Sequence, residues 1–190
     1  SMNAAGGTHH AFKEKGEGFC VFNDIAIAAN YLIHSNKFNH ILIVDLDVHQ
    51  GNGSASIFNG HGQVFTFSMH GAKNYPFRKE ASHLDIGLPD GTEDDAYLKI
   101  LFNILPRVID QHRPELIFYQ AGVDILTTDR LGRLSVSREG CRKRDKYVME
   151  ICKKNKIPLV VTMGGGYSPQ LSHIIEAHAN TFRTATEVYF

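Results

Sequence analysis

His40-Ile41-Leu42-Ile43-Val44-Asp45-Leu46-Asp47-Val48-His49-Gln50-Gly51-Asn52-Gly53 is the stretch that decides the fold. The run up to Val44 is apolar and largely β-branched, the pattern of a strand buried on both faces. Asp45, Asp47 and His49 follow at alternate positions, so an extended chain points all three one way. In an open α/β sheet, ligands bind at the carboxyl ends of the strands. An apolar strand that ends in stacked charge has little packing rationale. It reads as half of a metal site.

Strand and helix signals alternate outward from this stretch. Residues 4–22 are glycine-rich and read as loop, with Asn23 or Asp24 capping a helix whose apolar face is Ile25, Ala28, Ala29 and Leu32. A short helix is expected from about Asn52 to Phe58 and a strand over 64–70. Residues 71–94, with Gly71, Pro76, Gly87, Pro89 and Gly91, read as one long functional loop. A helix from Asp94 to about His112 carries Pro106, which should kink it. Strands are expected at 115–122 and 158–163. Ser137 should cap a basic helix running to about Asn155, and Ser168-Pro169 should open the last helix. The fold class is therefore α/β, a parallel sheet flanked by helices. Ser1-Met2-Asn3 reads as a leftover outside the domain, which is expected over 4–190.

Composition bounds the function. The chain has 190 residues, 43% of them hydrophobic and 21% charged, with Lys+Arg and Asp+Glu both at 20. Zero net charge argues against direct nucleic-acid binding. No apolar run approaches the length of a membrane span, so no membrane association is expected. The three cysteines, Cys20, Cys141 and Cys152, lack the spacing of a disulfide framework or a thiolate metal site, which suggests a reducing compartment. The basic stretch Arg138, Arg142, Lys143, Arg144, Lys146, Lys153, Lys154 and Lys156 reads as the solvated face of a helix.

Three constellations carry chemistry. Asp47, His49 and Asp124 form the metal proposal. One imidazole and two carboxylates suit Zn²⁺, with Fe²⁺ the alternative, and leave positions open for water and substrate. Either aspartate alone is more simply a helix cap; the group of Asp45, Asp47, His49 and Asp124 favours a metal. His9-His10 lies between glycines and would suit a surface loop if alone. Beside a metal, such a pair can activate water and protonate a leaving group. Gly164-Gly165-Gly166-Tyr167 lacks the spacing of a dinucleotide-binding turn. Tyr167 is either a packed aromatic or a hydroxyl that stabilises an oxyanion.

These residues resemble one family. GGTHHA at 6–11, GFCVFND at 18–24, DLDVHQGNG at 45–53, AGVD at 121–124, DRLGRL at 129–134 and GGGY at 164–167 are similar, in order, to the motifs of the zinc-dependent histone deacetylases, which share the arginase/deacetylase fold. HQGNG, GTEDDAYL and DRLGRLSVS look most like class IV and its bacterial relatives. The resemblance implies a zinc-dependent deacylase that hydrolyses N-acetyl- or N-acyl-lysine by metal-activated water. By position it implies Asp47, His49 and Asp124 as metal ligands, His10 as general base, His9 as its companion and Tyr167 as the group polarising the acyl carbonyl. It implies support of the two histidines by Asp45 and Asn52, and a substrate tunnel walled by Gly18, Phe19, Tyr75 and Gly165. A structural K⁺ is implied at Asp45, Asp47, His49, Ser68 and Met69.

Two departures from the family pattern matter. Asn52 stands where class I enzymes carry an aspartate, and an amide accepts a hydrogen bond without supplying charge, so His10 should stay neutral more readily. The family domain also begins well before the double histidine, so its N-terminal part is expected to be missing here.

Rival readings remain. A binuclear arginase-like centre needs a carboxylate where Gly51 stands. A small-molecule amidohydrolase, such as an acetylpolyamine deacetylase, would keep every catalytic residue. A non-catalytic fragment is the third. The expected partners are an acyl-lysine protein or a small acylated amine. The expected location is the cytoplasm, or the nucleus in a eukaryote.

Overall fold

A computed structural model describes all 190 residues. Its elements are β1 (Met2–Asn3), α1 (Asp24–His34), β2 (Ile41–Asp45), α2 (Asn52–Phe58), β3 (Val64–Gly71), β4 (Leu84–Leu88), α3 (Asp94–His112), β5 (Leu116–Gln120), α4 (Arg138–Lys154), β6 (Leu159–Thr162) and α5 (Leu171–Tyr189). Six strands pair in the order β1-β6-β5-β2-β3-β4, all parallel. From β2 the chain moves outward to β3 and β4, then returns to β5 on the other side. The β2–β5 boundary is therefore the switch point, where an open parallel sheet forms a ligand crevice.

The alternating residues of β2 divide the core in two. Leu42 and Val44 join the larger cluster with side chains of α3, α4 and α5. Ile41 and Ile43 face the other way, into a smaller cluster built from α1, Phe58 and Val64. In β5, Ile117 and Tyr119 lie in the first cluster and Leu116 and Phe118 in the second. Helices thus cover both faces, which is why β2 and β5 are apolar up to their last residue. No helix is long and apolar enough to cross a membrane.

Several expectations need correction. Ser1–Asn3 is not a leftover: Met2 and Asn3 pair with Val161 and Thr162, and the Val161 N–H donates to the Ser1 carbonyl. The span 71–94 is not a single loop, because it contains β4. That edge strand alternates Leu84, Ile86 and Leu88 with the exposed Asp85 and Gly87, the pattern of a half-buried strand, and it pairs with Phe67–Gly71. Helix α3 keeps its expected bounds, Asp94–His112, with Pro106 inside it. Helix α5 begins at Leu171, with Gln170 at its N-cap position, rather than at Ser168-Pro169; the Ser168 hydroxyl instead lies 2.7 Å from Thr128 Oγ1. The buried face of α1 is Ile25, Ala26, Ala29 and Ile33, with Ala28 and Leu32 at its margin.

Candidate active site

Strand β2 ends at Asp45, so Asp47 and His49 lie beyond the regular strand. Their common direction survives through local side-chain caps. The Asp47 N–H donates to Asp45 Oδ1 (3.2 Å), and the His49 N–H donates to Asp47 Oδ1 (2.9 Å). Leu46 and Val48 meanwhile turn into the larger core. Asp124 arrives from the end of β5, and its Oδ1 accepts the Val48 N–H at 2.9 Å. The strand ends on either side of the switch point are thereby tied together.

The ligand atoms of Asp47, His49 and Asp124 lie within 4.8 Å of one another, and all three residues are buried. His49 Nδ1 is 3.1 Å from both Asp47 Oδ1 and Asp124 Oδ2. Bare backbone surrounds the carboxylates. A Cβ at Gly122 would lie 2.2 Å from Asp47 Oδ2, and one at Gly165 would lie 2.1 Å from Asp124 Oδ2. The Gly165 N–H donates to Asp47 Oδ2 at 2.9 Å. Without an ion, burial opposes the charge on His49, yet the hydrogen bonds to Asp124 and Asp47 raise it to about 10. Burial, then the charge of Asp47, pushes the Asp124 carboxyl up to about 7. The cluster concentrates carboxylate charge on the His49 ring. Its donor set, one imidazole nitrogen and carboxylate oxygens around one point, fits a divalent ion of the Zn²⁺ or Fe²⁺ type.

The double histidine comes from the loop before α1, and the start of α1 clamps it. Asp24 accepts the Gly7 N–H and the Thr8 N–H and hydroxyl. Asn23 caps Ala26 with its oxygen and donates its amide to the His9 and Ala11 carbonyls. The two rings are adjacent, with centroids 4.1 Å apart, and both are buried. His9 Nδ1 lies 2.6 Å from Asp45 Oδ2; His10 Nδ1 lies 2.7 Å from Asn52 Oδ1. Burial opposes charge on His9, but Asp45 and then Asp47 raise it to about 9. Burial, then the charge of His9, lowers His10 to about 3. Burial and the neighbouring charge, rather than the amide at position 52, are what favour the neutral form of His10. The Asn52 acceptor pulls weakly the other way.

His10, His49 and Tyr167 line one cavity of about 470 Å³ with Gly18, Phe19, Lys73, Asn74, Tyr75, Phe77, Leu131 and Arg133. Phe19 and Phe77 stand at its rim, 88% and 89% exposed. Tyr75 packs edge-on to His10 with centroids 5.0 Å apart. Burial, then the nearby Asp47 and Asp124 charges, pushes the Tyr167 phenol up, so it remains a proton donor. Of the residues expected to wall a tunnel, Gly18, Phe19 and Tyr75 line the cavity. Gly165 does not; it sits against the carboxylates. Ser68 pairs in register with Asp45, and its hydroxyl is 2.9 Å from His70 Nδ1. Gly51 leaves no room for a ligand, since a Cβ there would lie 2.3 Å from Asp45 Oδ2 and 3.0 Å from His9 Nδ1.

The histone deacetylase domain model matches residues 1–182. The chain belongs to the histone deacetylase family. It is 46% identical over 189 residues to an uncharacterized protein of Picosynechococcus sp., covering 100% of this chain and 63% of that protein. It is 34% identical over 178 residues to histone deacetylase 2 of Arabidopsis thaliana, covering 92% of the chain and 46% of the relative. The crystal structure of an acetylpolyamine aminohydrolase from Burkholderia pseudomallei matches with a TM-score of 0.75 at 25% identity, over 95% of this chain and 53% of that one. The chain thus spans roughly half to under two thirds of the length of these relatives.

Within the family framework, three residues were not legible as parts of the site. Arg144 was grouped with exposed cations of its helix but is fully buried. Its guanidinium donates to the carbonyls of Leu46, Ala121 and Gly122 and to Asp145, bracing from below the loops that carry Asp47 and Asp124. Asp129 accepts the Tyr167 N–H (2.5 Å) through Oδ2 and the Leu131 and Gly132 N–H groups through Oδ1. Glu17 sits behind Asn52. Only periodicity could have flagged Arg144: it falls three and four residues from the buried Cys141 and Val148 of α4.

Proposed function

We propose that this chain carries the catalytic centre of a metal-dependent deacylase that hydrolyses the side-chain amide of N-acyl-lysine. The observation that carries the reading is the convergence of Asp47, His49 and Asp124 at a cavity that His10 and Tyr167 also line. Asp47, His49 and Asp124 would hold Zn²⁺, with Fe²⁺ the alternative. When bound, such an ion supplies Lewis acidity, polarising the acyl carbonyl and acidifying a water. The protein does the rest. The apolar rim of Phe19 and Phe77 receives the alkyl stem of the lysine. His10, tied to Asn52 through Nδ1, takes the proton of the attacking water at Nε2. The Tyr167 hydroxyl donates to the developing oxyanion. A histidine then returns a proton to the departing amine, and His9, held protonated by Asp45, keeps the neighbouring charge fixed. A K⁺ near Asp45 and Ser68 would serve a structural role.

The cavity's charge bears on the rival substrate. Apart from histidines, its charged lining residues are Lys73 and Arg133, both cationic. Asp90 pairs with Arg133 at 3.3 Å and lies 4.0 Å from Lys73, leaving a net positive charge among the three. A polycation such as an acetylpolyamine is disfavoured there, and a lysine on a neutral or acidic peptide is favoured. The test is a side-by-side assay of acetyl-lysine peptides, long-acyl-lysine peptides and acetylpolyamines, with and without the Tyr167→Phe substitution. The peptides should turn over, and Tyr167→Phe should lower kcat by about 10²–10³ while metal stays bound. Turnover of polyamines alone, or full activity of Tyr167→Phe, overturns the reading.

A further inference from the structure

Glu17 is a carboxylate beside the cavity that neither the ligand cluster nor the histidine clamp explains. It begins a tight hairpin. Glu17 and Cys20 exchange backbone hydrogen bonds of 2.9 and 2.8 Å, with Gly18 and Phe19 between them at φ +53° and +66°. Two successive left-handed residues are the signature of a type I′ turn. The turn lies against the base itself, since a Cβ at Gly18 would sit 2.5 Å from His10 Cδ2. This rigid support aims the Glu17 side chain at Asn52. Its Oε1 accepts from Asn52 Nδ2 (2.8 Å) and from the Tyr75 hydroxyl (2.7 Å), and its Oε2 accepts from Lys15 Nζ (2.6 Å). Those bonds, Lys15 first and Tyr75 next, hold the carboxyl at about 2, so it is ionised.

We propose that Glu17 is a positioning residue for His10: it sets which end of the Asn52 amide faces the ring and hence which ring nitrogen carries the proton. An ionised carboxylate only accepts hydrogen bonds, so Asn52 must turn its NH₂ toward Glu17. The Asn52 carbonyl then faces His10 Nδ1, and a carbonyl also only accepts. The Nδ1 atom must carry the hydrogen, and a neutral imidazole has only one, so Nε2 presents a bare lone pair. Without Glu17 the amide is free to turn over, donate to Nδ1 and drive the hydrogen to Nε2, where no further proton can be taken. A carboxylate at position 52 would need no such guide, because both its oxygens accept. Glu17 is the guide that an amide requires. The inference rests on the reading of His10 as the base.

The experiment uses the full-length, metal-loaded protein with ¹⁵N-labelled histidine. Long-range ¹H–¹⁵N correlation spectra report the His10 tautomer, and steady-state kinetics with an acyl-lysine peptide report kcat. The native protein should show the Nδ1–H tautomer. Glu17→Met should populate Nε2–H and lower kcat by about 10–100-fold with a smaller change in KM. Glu17→Gln, whose amide oxygen still accepts, should keep the native tautomer and most of the rate. In an Asn52→Asp background, Glu17→Met should cost nothing further. A native tautomer in folded Glu17→Met, or an equal loss in the Asn52→Asp background, overturns the proposal. A tautomer that moves in a protein hydrolysing no amide leaves the Glu17 relay standing and sinks the deacylase reading instead.

Discussion

Two buried charge clusters meet at the β2–β5 boundary, and they solve the same problem differently. On the upper side, Asp45, Asp47, Asp124, His9 and His49 gather several carboxylates whose only positive partners are imidazoles. On the lower side, Asp145 is met by a guanidinium. Its Oδ1 accepts from Arg144 Nε (2.9 Å) and the Tyr119 hydroxyl (2.5 Å), and its Oδ2 accepts from the Thr181 hydroxyl (2.7 Å). The Arg144 donors not used by Asp145 go to loop carbonyls. The lower cluster carries its own cation and is closed. The upper cluster converges on a point and has only titratable rings as positive partners, the arrangement that the proposed metal site requires.

That contrast can be broken in four ways. Removing a ligand from the upper cluster should abolish function. Asp124→Asn is expected to lose bound metal and drive turnover below detection, read by metal analysis beside the peptide assay. Retained metal and activity would remove the upper cluster from the chemistry. Removing the cation from the lower cluster should instead strike stability. Arg144→Met leaves Asp145 buried and unpaired and should destabilise by about 3–5 kcal/mol in urea unfolding, with part of that recovered in Arg144→Met/Asp145→Leu. A loss below 1 kcal/mol would mean that Arg144 braces nothing.

Ion addition separates the clusters a third way. At a hundredfold excess of Zn²⁺ over its dissociation constant, the metal-free protein should gain about 2.7 kcal/mol, and Asp124→Asn should gain far less. Equal gains would put the ion elsewhere. The smallest effect concerns His178, which lies behind Gly166 with its buried Nδ1 unpartnered. Burial, then the charge of Arg144, lowers it to about 4 from 6.5. Between these values the unfolded chain binds a proton that the folded chain refuses, so stability falls as pH drops through this window. The linked loss between pH 7 and pH 5 is about 2 kcal/mol. His178→Leu should flatten that dependence, and unchanged acid sensitivity would show that His178 is not its source.

The same contrast explains what was legible beforehand. Asp47, His49 and Asp124 stood out because charge after an apolar strand breaks the hydrophobic pattern. Arg144 did not, because it lies among real surface cations such as Arg142 and Lys146, and one helical turn separates a solvated position from a buried one. The β1 edge was missed because its 2 residues are too few to show a pattern, and β4 because its short alternation of Leu84, Ile86 and Leu88 with Asp85 and Gly87 sits among glycines and prolines. Gly165 was misplaced by less than the width of a loop, since a glycine's role depends on what comes close to its Cα.

From the residues alone came the α/β class, the strand ends that carry the candidate ligands, a cap at Asn23 or Asp24, the Ser137 cap and the family motifs. These follow from local periodicity and from side-chain chemistry, which do not depend on distant segments. Tertiary structure alone decided that β2 and β5 flank the switch point, that Arg144 lies beneath it, and that Glu17 reaches Asn52 across 35 positions. Such contacts join segments far apart in the chain, so no local pattern encodes them. They form only when burial of the two core faces has brought the strand ends and loops together.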